Sequence, residues 1–217
     1  MTTDMKELFT DFLYSNGIIQ FGTFTLKSGR ISPYFINTGK FDTGKALSLL
    51  GRYYAATIFE KVGYGAHTIY GPAYKGIPLC VATAQAFKTP MGYSFNRKEA
   101  KTYGDKGNIV GMPITEHSRV VIVDDVITSG KAIRESMEVL KTYGSPQVMG
   151  IVISIDRQER GLTDKSSIQE ISEEFKVPVY SIVTITEVVD RLFSRNLITP
   201  KKKEDIENYL KIYSPKA

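Results

Sequence analysis

Two adjacent carboxylates, Asp124 and Asp125, close an apolar run and directly precede a turn rich in hydroxyl and glycine groups. The stretch reads VVIVDDVITSG from Val120 to Gly130, and Val120–Val123 suit a strand buried on both faces, as in a parallel sheet. The acids then fall at the carboxyl end of that strand, where open α/β sheets bind ligands. Thr128, Ser129, Gly130 and Lys131 come next, ahead of a helix whose apolar residues Ile133, Met137 and Leu140 recur at helical spacing. A strand, a loop of small residues and a helix N-terminus form an anion cradle, because free backbone N–H groups and the helix dipole both favour phosphate. Carboxylates alone would repel a phosphate. The pair should therefore serve another part of the same ligand, either sugar hydroxyls or a divalent metal. The plain structural alternative is a buried strand, an acidic turn and a helix cap. Neither GxxxxGK[ST] nor GxGxxG accompanies any strand, so the other common phosphate loops do not apply.

Four further segments carry related chemistry. Gly71-Pro72-Ala73-Tyr74-Lys75-Gly76-Ile77-Pro78 follows a strand ending at Tyr70. Its glycines permit tight backbone geometry, Pro78 suits a first helical turn, and Lys75 would be delivered to a second anion-binding helix terminus. Phe95–Gly107 gathers Arg97, Lys98 and Lys101 and then two glycines, which describes a basic, mobile flap over residues 97–108 rather than a packed element. Charge-assisted hydrogen bonds contribute about 1.5–3 kcal/mol each, so several closing on a pyrophosphate could supply much of a transition state's stabilisation. Thr25–Asn37 mixes Lys27, a glycine turn and the aromatics Tyr34 and Phe35, as a site for a planar anionic base requires. Ser154–Gly161 sets a charged cluster, Asp156, Arg157, Glu159 and Arg160, at a strand's carboxyl end. On composition alone these last three segments read equally well as solvated loops or surface ion pairs.

The elements that must hold these segments alternate. Strands are expected at Thr68–Tyr70, Gly92–Phe95, Val120–Val123, Val148–Ile155 and Val179–Ile185, with helices at Ala46–Phe59, Ile77–Phe87, Ala132–Tyr143 and Ile168–Phe175. Such alternation implies an α/β fold, a mostly parallel sheet with crossover helices on both faces. An N-terminal helix near Asp4–Tyr14, an irregular Phe21–Phe41 stretch and a helix over Ile206–Tyr213 should cap that core. At 217 residues and 42% hydrophobic composition the chain can bury one good core, so one domain with a small appendage is expected. No window approaches a membrane span and the N-terminus is acidic where a signal peptide would be basic, which points to the cytoplasm. The single cysteine, Cys80, reads as core, and the net charge of +5 favours anionic partners. No helix-turn-helix extension or aromatic RNA-stacking signature accompanies that charge, so nucleic acid is not expected as a partner.

The VVIVDDVITSG segment resembles the phosphoribosyl-pyrophosphate (PRPP) signature of the type I phosphoribosyltransferases. That resemblance implies the family's fold: a core over about residues 41–185 under a hood built from residues 1–40 and the C-terminal part. It implies that Asp124 and Asp125 contact the ribose 2′- and 3′-hydroxyls, while Val126, Ile127, Thr128, Ser129, Gly130, Lys131 and Ala132 hold the 5′-phosphate. GPAYKGIP resembles the family's pyrophosphate loop, with Tyr74 and Lys75 as PRPP contacts and a non-proline cis peptide expected between Ala73 and Tyr74. FNRKEAK with its glycines is similar to the catalytic loop of the branch whose acceptor is orotate. By that likeness Arg97, Lys98 and Lys101 bind pyrophosphate, Lys101 is the principal catalytic cation, and the loop reaches into the partner subunit of a homodimer. Tyr103 stands where bacterial members generally carry histidine and is kept as a binding candidate. The LKSGRISPYFIN segment is similar to one in which Lys27 contacts PRPP while Phe35 and its neighbour, here Ile36 rather than a second phenylalanine, receive orotate. DRQERG resembles the segment whose first arginine, here Arg157, pairs the orotate carboxylate, and the resemblance gives Thr128 a contact with the base as well as the phosphate. Mg²⁺ is implied as the cofactor, held by PRPP or pyrophosphate and water rather than directly by the protein.

Overall fold

Apolar runs and helical periods alternate along most of the chain, and the computed structural model, which describes residues 3–26, 28–101 and 107–216, realises them as follows. In chain order come α1 (Thr3–Ser15), β1 (Ile19–Thr25), β2 (Ile31–Ile36), α2 (Gly44–Lys61), β3 (Thr68–Gly71), α3 (Gly76–Ala86), β4 (Gly92–Lys101) and β5 (Gly107–Gly111). Then follow β6 (Arg119–Asp124), α4 (Lys131–Lys141), β7 (Gln147–Asp156), α5 (Ser167–Phe175), β8 (Val179–Thr184), α6 (Ile185–Ser194) and α7 (Pro200–Tyr213). Six strands form one sheet in the order β5-β4-β3-β6-β7-β8, and β1 pairs with β2 separately. Every neighbouring pair in the large sheet is parallel except β4–β5. This is the expected α/β architecture.

Val120–Val123 are fully buried because the sheet is covered on both faces. Val121 and Val123 join Leu50, Tyr54 and Ile58 of α2 and Cys80 of α3 in one apolar cluster. Val120 and Ile122 join Ile133 and Leu140 of α4 and Ile171 of α5 in the other. Burying each such side chain is worth about 1.5–3 kcal/mol, so the strand that ends in the two acids is among the best anchored in the fold. Phe9 and Leu13 of α1, Tyr34 of β2 and Tyr209 of α7 belong to the first cluster, which seats the terminal segments on the sheet. Among the described residues no helix is long and apolar enough to cross a membrane.

Three expectations need correction. The Phe21–Phe41 stretch is not irregular: β1 and β2 form an antiparallel hairpin, with a register shift between Phe21 and Phe24. Pro33 inside β2 is tolerated because a two-stranded ribbon leaves an unpaired edge for a residue without an N–H. Arg97–Lys101 are strand rather than flap, since β4 runs on past the end of β3 and pairs with β5 from Asn96↔Ile109 to Lys101↔Gly107. The strand expected to reach Ile185 stops at Thr184, where Thr184 and Glu187 form a capping box and start α6. Ile185, Val188, Val189 and Leu192 then bury one face of a helix that β-branched composition disguised.

Candidate active site

Asp124 and Asp125 stand at the carboxyl end of β6, each 7% exposed. Asp124 Oδ1 accepts the Asp125 N–H at 2.9 Å, and the Tyr54 hydroxyl donates to the Asp124 carbonyl at 2.7 Å. Burial, and then the neighbouring Asp125 charge, push the Asp124 carboxyl up from 3.8 to about 7. Asp125 turns its Oδ1 to the Val126 N–H at 2.8 Å and its Oδ2 to Lys75 Nζ at 2.8 Å, with the Thr38 hydroxyl donating to the same Oδ2. Ser154 of β7 donates its N–H to the Asp125 carbonyl at 2.9 Å, so the acid pair is pinned to the neighbouring strand. A cavity of about 190 Å³ lies against Thr38, Tyr54, Lys75, Asp125 and Ser154.

The cradle follows directly. Val126 and Ala132 are half-buried and Ile127 packs in the core, so Ile127 can meet a ligand only through its backbone. Thr128, Ser129 and Lys131 are exposed. The Thr128 carbonyl accepts from the Ser167 hydroxyl and the Ser129 carbonyl from Arg134 at 2.6 Å, which ties the loop to α5 and α4 through its carbonyls. Gly130 caps α4 at φ +73°, and an added Cβ would lie 2.7 Å from Ile171 Cδ1. It brings no capping side chain, which leaves the first-turn N–H groups of α4 to an anion.

Lys75 reaches Asp125 from the loop between β3 and α3, where the Ala73–Tyr74 peptide is cis as expected. Asn96 of β4 accepts the Ala73 N–H at 3.1 Å and so supports that loop. Lys98 Nζ lies 5.5 Å above the Tyr74 ring, bringing the basic end of β4 to the same edge, while Arg97 is half-buried. Past the end of β7, Arg157 is 9% exposed, with its guanidinium 4.5 Å over the Tyr34 ring and hydrogen-bonded to Glu159. Desolvation opposes its charge, but Tyr34 and Glu159 outweigh that and hold its pKa above the ordinary value. Phe35 is 37% exposed and stacks on Phe24 at 5.5 Å. Strand alternation sends the next side chain, Ile36, to the opposite face and into the core.

Residues 38–182, which include the acid pair, its cradle, Lys75 and Arg157, match the phosphoribosyl transferase domain family. The whole chain is 43% identical to the orotate phosphoribosyltransferase of Clostridium acetobutylicum, over 97% of this chain and 98% of that one. The chain belongs to the orotate phosphoribosyltransferase family. It is 49% identical to the Klebsiella pneumoniae member over 83% of this chain and 85% of that one. Its fold matches the crystal structure of the Francisella tularensis member with a TM-score of 0.82 at 37% identity, covering 95% of this chain and 99% of that one.

Set beside family membership, the geometry gathers most residues read from the sequence at one sheet edge: Tyr74, Lys75, Lys98, Asp124, Asp125 and the 126–132 cradle. Lys27 and Tyr103 lie outside the described residues, as does the side chain of Lys101. Sequence reasoning missed Thr38, Tyr54, Asn96 and Ser154, which hold the acids and the pyrophosphate loop in place. Asn96, beside the basic run, and Ser154, at the head of the DRQERG segment, fell within segments singled out from the sequence; Thr38 and Tyr54 carried no local signal. A larger cavity of about 430 Å³ between α1, α2 and the α6–α7 link is lined by none of the motif residues.

Proposed function

We propose that the chain transfers ribose 5-phosphate from PRPP to orotate, giving orotidine 5′-monophosphate and pyrophosphate, a step of pyrimidine nucleotide synthesis in the cytoplasm. The observation that carries this reading is the placement of the buried acid pair and Arg157 at the ends of adjacent strands, joined by the Ser154–Asp125 hydrogen bond. A ribose on the acids then has its 5′-phosphate on the cradle, its pyrophosphate toward Lys75, and its anomeric carbon toward a base paired with Arg157.

In this mechanism the bond from the anomeric carbon to pyrophosphate oxygen breaks as a ring nitrogen of orotate forms the new bond, and the proton of that nitrogen passes to the departing pyrophosphate. Asp124 and Asp125 accept hydrogen bonds from the ribose hydroxyls and stabilise the positive charge that grows on the sugar. Lys75, Arg97, Lys98 and Lys101 neutralise the leaving group, with Tyr74 and Tyr103 as further contacts, and Lys27 contacts PRPP. Phe35, the Ile36 backbone, Thr128 and Arg157 receive orotate. Asp125 is already paired with Lys75 and Asp124 is tucked against the Asp125 N–H, a donor set that suits sugar hydroxyls better than direct divalent coordination. Mg²⁺ carried on pyrophosphate oxygens and water would add charge neutralisation to the leaving group. Residues 1–40 and the C-terminal part act as the hood over the core.

Purified protein supplied with PRPP, Mg²⁺ and orotate should release pyrophosphate, and no release would refute the reading. The active form is a homodimer with the basic ribbon shared between subunits. Heterodimers of a Lys101→Ala subunit and a Lys75→Ala subunit should then regain one intact site, and their inactivity would refute the sharing.

A further inference from the structure

Glu159 is buried in the DRQERG segment, its side chain 10% exposed, and donors from three places converge on it. Arg157 reaches its Oε1 through Nε at 3.0 Å and Nη2 at 2.5 Å, and the Tyr34 hydroxyl reaches the same oxygen at 2.8 Å. Arg30, in the turn of the β1–β2 hairpin, reaches Oε2 at 3.4 Å and also donates to the Arg160 carbonyl at 3.3 Å. The hairpin is tied in turn to α7, with Tyr34 edge-on to Tyr209 at 5.9 Å and Arg30 over Tyr213 at 5.1 Å.

A guanidinium can meet a carboxylate in parallel hydrogen bonds along its Nε–Nη2 side or its Nη1–Nη2 end. Glu159 takes the side. The guanidinium lies over the Tyr34 ring, and Glu159 Oε1, accepting from both Nε and Nη2, fixes its orientation there. The edge that can be presented to a second carboxylate is therefore the Nη1–Nη2 end. The charges agree, since Arg30, Arg157 and Glu159 together carry +1, the complement of one substrate carboxylate.

We propose that Glu159 is a positioning residue of the acceptor site, fixing Arg157 so that its Nη1–Nη2 end meets the orotate carboxylate and locking that arginine to the hairpin that carries Phe35. This rests on Arg157 being the orotate contact. Without Glu159 the arginine keeps its stacking on Tyr34 but loses its rotational reference, so the loss falls on orotate and spares PRPP.

The test is steady-state kinetics with both substrates on wild type, Arg157→Ala, Glu159→Ala and Glu159→Gln. Wild-type turnover of orotate, with a selective rise in orotate KM for Arg157→Ala, establishes the reading beneath the proposal, and failure of either overturns that reading. Given both, Glu159→Ala should raise the orotate KM by about 10- to 100-fold, the worth of hydrogen bonds to a charged group, and leave the PRPP KM within about twofold. Glu159→Gln keeps an acceptor for Arg157 and Tyr34 and should restore the orotate KM to within about threefold of wild type. An unchanged orotate KM in Glu159→Ala, or equal rises for both substrates, overturns the proposal. If Glu159→Ala does not fold, Glu159→Asp keeps the charge but withdraws the acceptor. The same selective rise is expected from it, and its absence is decisive against.

Discussion

Replacing Asp124 with asparagine should stabilise the fold above neutral pH and remove most of the activity. Asp124 is buried beside Asp125, and desolvation followed by that like charge raises its pKa from 3.8 to about 7. A carboxyl with a raised pKa in the folded state keeps a proton that the unfolded chain has already released. Its stabilising contribution is thus whole below about pH 4 and is lost as pH climbs to about 7. At about 1.4 kcal/mol for each tenfold change, the interval is worth about 4 kcal/mol. Asparagine imitates the protonated form at every pH, and its carbonyl can still accept the Asp125 N–H. Urea unfolding of both proteins at about pH 4.5, 6 and 8 should show the variant's advantage growing from about 1 kcal/mol to about 4 kcal/mol. A pH-independent difference, or a variant less stable at the highest pH, would refute the reasoning. In the same variant kcat/KM for PRPP should fall by about 100-fold or more, because an amide accepts the ribose hydroxyls less strongly than a carboxylate.

Arg157→Ala should do more than raise the orotate KM: it leaves Glu159 with only the long Arg30 contact at 3.4 Å and the Tyr34 hydroxyl, and the expected loss in urea unfolding is about 1.5–3 kcal/mol. An unchanged stability would mean that the Arg157–Glu159 pair does not form in solution. Gly130→Ala forces a side chain into the left-handed region, at a cost of about 1–2 kcal/mol, and drives its Cβ toward Ile171. The PRPP KM should then rise while the orotate KM holds, and equal effects would count against the cradle. Cys80 is fully buried and its thiol is pushed up to about 12 by burial, so a thiol reagent near neutral pH should modify it only at the rate of unfolding. Fast modification of folded protein would contradict that burial.

The parts of the fold legible in the sequence were those whose signal is local. Val120–Val123 announced a doubly covered strand, and the acids and small residues after it announced a ligand edge, because strand burial and turn chemistry act over a few residues. The hairpin of β1 and β2 was hidden because Gly22, Gly29 and Pro33 punctuate it and it pairs outside the main sheet. The far half of β4 was hidden for another reason: beyond Phe95 its neighbour is β5 alone, so it has no buried face to impose an apolar pattern. The α6 helix went unread and the strand before it ran one residue too far, to Ile185, yet its Thr184-x-x-Glu187 capping box was readable. In the site, residues that would touch substrate came from recognisable segments, whereas those that hold them did not. Thr38 meets Asp125, and Arg30 and Tyr34 meet Glu159, across sequence separations that no local pattern encodes.

Both ends of the site meet one electrostatic demand in the same way. A cation kept ready for a substrate anion would stand unpaired in the free protein, and an acid kept ready for a sugar hydroxyl would do likewise. Lys75 sits on Asp125, and Arg157 sits on Glu159, so each charge has an internal partner before the substrate arrives. The two pairs differ in burial. Lys75 is 65% exposed and can swing away toward a pyrophosphate while a ribose hydroxyl takes its place on Asp125. Arg157 and Glu159 are both about 10% exposed, so separating them would strand the guanidinium at a cost of several kcal/mol. On the proposed reading the first pair would open when substrate binds. The second would stay closed throughout the reaction, so that the free end of Arg157, rather than its paired side, would do the recognition.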